Sequence, residues 1–179
     1  RADGKIYKPA TSATTPLATA VNFREDMAIE IPSGADFKAL SDAVDKAAPN
    51  MNLVAAVQVK GRFLKMKTRS VPAQSKPYPP LVEVTRHQPV FDMEDVSGAI
   101  VGFRTPEFMK GLAVPGYHLH FITDDRTAGG HVLDFVVSSA VAAIDVCNRF
   151  SLILPADEEA FAGIDLTVDR SADLNEAEH

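Results

Sequence analysis

From residue 53 to residue 154 the chain is written in short runs rich in Val, Ile and other apolar residues, set among turn residues and with little sustained helical period. Such runs favour strands. The runs fall at 53–59, 62–68, 81–85, 98–103, 117–123, 131–137, 140–146 and 150–154. Lys60-Gly61 lies between the first two, and its glycine supplies the positive φ of a two-residue hairpin turn. Strands at such short intervals pair antiparallel or in mixed fashion. The expected fold class is therefore α+β: two layers, with β-rich mixed and antiparallel sheets and a few helices.

One stretch breaks the pattern convincingly. Over 33–48, Phe37, Leu40, Val44 and Ala47 recur at helical spacing, Ser33 can cap, Asp36 sits in the first turn and Pro49 stops the run. The acidic tail reads as surface helix over 157–161 and 169–178, with few apolar positions. Between Ser70 and Pro80 the sequence Val71-Pro72-Ala73-Gln74-Ser75-Lys76-Pro77-Tyr78-Pro79-Pro80 fixes φ at residue after residue and forms an extended connector. It divides the chain into two expected subdomains, 1–80 with a mixed sheet and the helix, and 81–179.

Several classes of function drop out. A net charge of -6 and a pI near 5.3 give no basic footprint for nucleic acid. No apolar run approaches the roughly 18 residues of a membrane span, so no membrane role is expected. Cytoplasmic and exported placements both stand. The single cysteine, Cys147, allows no intrachain disulfide and reads as a small buried apolar group.

What the composition leaves is a cluster of histidine. Of five in the chain, three lie in Gly116-Tyr117-His118-Leu119-His120-Phe121 and the following Gly129-Gly130-His131-Val132. On a strand His118 and His120 project from one face, with Leu119 and Phe121 on the other. Asp124-Asp125 and Gly129-Gly130 are turn formers, so His131 opens an adjacent antiparallel strand and returns beside the first two. Three imidazoles with an open fourth position suit catalytic zinc, whereas structural zinc usually adds cysteine. Surface histidines facing solvent would give the same pattern. Tyr117 and Phe121 can exclude water from the pair, and Asp124, Asp125 and Asp134 can orient ligating rings or act simply as turn formers and strand ends. His87 and His179 stand apart. Arg69, in Thr68-Arg69-Ser70-Val71-Pro72, places a fork of donors at a strand end; it recognises a carboxylate bidentately, or continues the solvated face of Lys65 and Lys67.

The blocks Thr68-Arg69-Ser70-Val71-Pro72, Lys76-Pro77-Tyr78-Pro79-Pro80-Leu81, Gly116 to Ile122 and Gly129-Gly130-His131-Val132-Leu133-Asp134 together resemble, in order and spacing, the signature of α-acetolactate decarboxylase. The resemblance runs from Asp3-Gly4 to Glu178. It implies that His118, His120 and His131 bind Zn2+, that Arg69 belongs to the active site, and that a glutamate near the C-terminus, Glu178 or else Glu176, enters it. It further implies an upstream stretch with a Leu-Asp-Gly-Glu block whose glutamate serves the site. No such stretch stands before Asp3, so the sequence is expected to be either a fragment of a longer chain or one whose N-terminal part stays attached as a separate piece, and a homodimer is the expected assembly.

The implied reaction takes acetolactate to acetoin and carbon dioxide. A β-keto acid can pass the charge left by carbon dioxide into its ketone oxygen, so the metal replaces an organic cofactor. Arg69 would hold the departing carboxylate or a ligating oxygen, and Glu178, or the upstream glutamate, would protonate the enediolate. Two other readings of the histidines remain, a cupin-like Fe(II) oxygenase and a non-catalytic metal-binding module.

Overall fold

The computed structural model describes residues 3–12, 18–75, 79, 81–86, 88–154 and 159–169. In order they form strand β1 (Met27–Ile31), helix α1 (Phe37–Ala47), β2 (Val54–Arg69), a short helix α2 (Leu81–Thr85), β3 (Val90–Thr105), a 3-10 turn (Glu107–Met109), β4 (Gly116–Thr123), β5 (Gly129–Cys147) and a short helix α3 (Glu159–Ala162). Strands dominate and every ladder between them is antiparallel, so of the two kinds of pairing expected the named strands use one.

The five strands make one sheet in the order β1-β5-β2-β3-β4, and β4 also pairs with the start of β5. Strands β5, β2, β3 and β4 therefore close into a ring, with β1 added along the far half of β5. Strand β2, which precedes the proline-rich connector, lies between β3 and β5, which follow it. One face of the sheet carries the core. Phe63 meets Phe121 and Phe135 edge-on at 5.4 and 5.8 Å, packed with Ile100, Leu119 and Val137. Helix α1 lays the fully buried Leu40 and Val44 onto this face and forms the second layer.

Helix α1 starts later than its apolar spacing suggests. Asp36, not Ser33, is the cap: its carboxylate accepts the Ala39 amide at 2.8 Å, a bond that the serine stands too far upstream to make. At the other end Ala48 closes the last turn onto Val44, just before Pro49.

Four expectations are corrected. Lys60-Gly61 is no hairpin: β2 runs straight through it for 16 residues, with Gly61 opposite Gly98 on one side and Ala140 on the other. A Cβ at Gly61 would overlap the Ser139 carbonyl, so the glycine serves close approach of backbones, not a turn. The runs at 131–137 and 140–146 likewise belong to one strand, β5, and the register shift at Arg62/Phe63 absorbs the irregularity between them. Residues 81–85 are helical, not extended, and Glu83 in the first turn favours the N-terminus of that helix. Residues 150–154 form no strand, because both edges of β5 are already taken by β2 and by β1 and β4. In the tail, α3 falls on the first expected helix. Beyond Asp169 the second lies outside the described residues, as do Glu176, Glu178, His87 and His179.

Candidate metal centre

Leu119 and Phe121 sink into the core, and the strand's alternation turns His118 and His120 to the opposite face. The short β4–β5 ladder then does the rest: His120 pairs directly with His131, so all three imidazoles converge on one surface. Their ring centroids lie 5.0, 4.8 and 5.3 Å apart. His118 Nε2 and His120 Nε2 approach to 2.9 Å, and one nitrogen from each ring falls within 4.8 Å of the other two. A tetrahedral ion with bonds of roughly 2 Å holds its ligand nitrogens about 3.3 Å apart, so the group suits one ion with little movement. His118 and His131 are half-buried and His120 is exposed, which leaves one side of the group open.

Among the described residues no carboxylate joins this set. Asp125 is a turn residue: it accepts from the Thr123 and Thr127 hydroxyls and the Thr127 amide, and these donors, the Thr123 hydroxyl first, hold its carboxyl below the usual carboxylate range. Asp134 accepts the neighbouring Phe135 amide. Tyr117 points to the helix side and not over the imidazoles. Its hydroxyl donates to Asp45 at 2.6 Å and to the Ser41 carbonyl, and burial, together with that carboxylate, pushes the phenol up. Asp45 also takes a 2.9 Å bond from Arg104, which is 2% exposed and donates to the Ala48 and Asn50 carbonyls as well. The network ties the C-terminal end of α1 to the foot of the strand that carries His118.

Arg69 ends β2 directly opposite His131 and is 5% exposed. Cross-strand partners share a face, so a single row crosses the strands: Gln58, Val101, His120, His131, Arg69. The arginine stands on one side of the imidazoles. On the other, Val101 and Phe103 pair with His120 and His118, and there a cavity of about 500 Å3 opens against these two histidines. Neither Val101 nor Phe103 stood out in the sequence, where the register that makes them neighbours of His120 and His118 is not written.

Comparisons with known proteins identify relatives of the chain. A family model described as alpha-acetolactate decarboxylase matches residues 1–168. An alpha-acetolactate decarboxylase from Methanosarcina mazei is 44% identical over 178 residues, covering 99% of this chain and 62% of the relative. That of Methylococcus capsulatus is 41% identical over 179 residues and 68% covered. The chain thus spans a little under two thirds of the Methanosarcina protein. A crystal structure of alpha-acetolactate decarboxylase from Bacillus subtilis strain 168 superposes with a TM-score of 0.94 at 35% identity, over 99% of this chain and 76% of that one. With the matched model covering nearly all of the sequence, this chain belongs to the alpha-acetolactate decarboxylase family.

Proposed function

We propose that the chain forms the zinc-binding part of an enzyme that converts 2-acetolactate to acetoin and carbon dioxide. The observation that carries the reading is the row His120, His131, Arg69, with His118 beside it: three imidazoles close enough to share an ion, next to a nearly buried arginine. His118, His120 and His131 would hold the ion through ring nitrogens. Bound there, Zn2+ supplies Lewis acidity toward the ketone and hydroxyl oxygens of the substrate, where decarboxylation leaves negative charge.

Arg69 orients the substrate. Its planar fork matches a carboxylate through two parallel hydrogen bonds, and its low exposure strengthens them. The carboxylate's carbon–carbon bond breaks, its electron pair passes into the adjacent carbonyl, and the resulting enediolate takes up one proton to give acetoin. Glu178, or Glu176 if the tail is shifted, delivers that proton in this reading. The glutamate of an upstream segment is a second participant in this reading. A homodimer is the proposed assembly.

Purified protein should release acetoin from acetolactate, stop on chelation and recover with zinc. His118→Ala should lose bound metal and acetoin formation together. Full acetoin production after chelation would overturn the metal-dependent mechanism. Oxygen consumption with bound iron would favour an oxygenase, and metal binding without turnover a non-catalytic module.

A further inference from the structure

The imidazoles lie between two unlike neighbours. On one side stands the nearly buried Arg69, opposite His131; on the other, Val101 and Phe103 are apolar and line the cavity of about 500 Å3. Apart from Gln58, two threonines and the two imidazoles, every residue lining that cavity is apolar or glycine. Along the row, Val101 and Arg69 stand three strand spacings apart, roughly 14 Å. A ligand held at the histidines by oxygen, with its carboxylate on Arg69, must direct its remaining substituent at Val101. Acetolactate offers only methyl groups there, which fill a small part of the space.

Resting on the function proposed above, we infer that Val101 and Phe103 are the specificity-determining residues of this site. They form the wall that receives the alkyl end of a 2-hydroxy-3-oxo acid, and the cavity behind them admits alkyl groups several carbons longer than methyl. Their placement beside His120 and His118 fixes where the chain of the substrate must turn. Val101 is 41% exposed and lines the cavity, so enlarging it fills space without disturbing the core. Gln58, next in the row, is the polar group that a longer chain would pass.

The test uses the full chain loaded with Co2+, whose visible spectrum reports ligation, titrated with 2-hydroxy-2-methyl acids in which the second alkyl group grows from methyl to pentyl. These acids bind without decarboxylating. Affinity should rise roughly two- to fourfold for each added methylene, as expected for transfer of one CH2 out of water. In Val101→Phe the rise should disappear, the pentyl acid losing tenfold or more relative to the methyl acid; in Val101→Ala it should persist. Equal affinity for all lengths in the parent chain, or the same slope in Val101→Phe, overturns the assignment while leaving the metal site intact. Failure of Co2+ to bind overturns the assignment and the proposed function together, since the acids are anchored through the ion.

Discussion

Replacing Arg104 by methionine tests how firmly helix α1 is fastened to β3, the strand that pairs with the first two histidines' strand. The side chain is 2% exposed, and its guanidinium makes three charged hydrogen bonds, to Asp45 at 2.9 Å, to the Ala48 carbonyl at 2.8 Å and to the Asn50 carbonyl at 3.1 Å. Each is worth about 1.5–3 kcal/mol in favourable cases. Three effects reduce the net. Asp45 keeps 38% of its side-chain surface in water and stays solvated when orphaned. Arg104 Nε is buried without a hydrogen-bond partner, a cost that the wild type already bears. Methionine also recovers part of the apolar packing. The expected loss is about 3 kcal/mol, the low end for breaking a buried pair. For a chain of this size that lowers Tm by roughly 6–12 °C. Urea unfolding followed by circular dichroism measures it, alone and combined with Asp45→Asn. The single Asp45→Asn should cost about 1 kcal/mol, and the pair less than the two losses added, because both remove the same bond. A loss below about 1 kcal/mol for Arg104→Met, or strict additivity, would refute the idea that this network fastens the helix.

Gly61→Val should destabilise by about 2 kcal/mol or more, since its Cβ meets the Ser139 carbonyl and Ala140 in the next strand; an unchanged urea midpoint would contradict the close approach. Arg69→Lys should keep its metal but form acetoin about tenfold or more slowly, because an ammonium replaces a bidentate fork; equal turnover, by acetoin assay beside metal analysis, would exclude Arg69 from carboxylate binding. The folded Asp125 carboxyl ionises more readily than in the unfolded chain, held down first by the Thr123 hydroxyl. Its contribution is therefore complete above the unfolded value of about 3.9 and is lost as pH falls through the lower folded one. Asp125→Asn should flatten that part of the urea-midpoint profile between pH 2 and 6, and an unaltered profile would show that the turn does not depend on the charge.

Alternation was enough to place His118 and His120 on one face, because Leu119 and Phe121 need the core and a strand permits only two sides. The glycines after the turn sufficed to return His131. Register was not legible. Nothing local says that Val101 lies beside His120, or that Arg69 lies beside His131, since both facts come from pairings between distant segments. Gly61 misled for a related reason: a glycine between two apolar runs has the same local signature in a turn as where backbones crowd, and only the neighbouring strands distinguish them. Residues 90–97 hold three acids, Asp92, Glu94 and Asp95, whose residue types disfavour strand locally, yet they continue β3, with Glu94 and Asp92 opposite Lys65 and Lys67, whose charge suits them.

The ladder between β4 and β5 pairs only His120 with His131, Phe121 with Gly130 and Ile122 with Gly129. It is the shortest of the ladders that complete the ring of strands. The histidines straddle it, two on β4 and one on β5. An ion shared by them would act as a clasp across the joint, and its binding energy would also hold the two strands together. Amide hydrogens of this ladder should exchange fastest in metal-free protein and slow most on loading, which would make the proposed metal centre and the fastening of the sheet one and the same few residues.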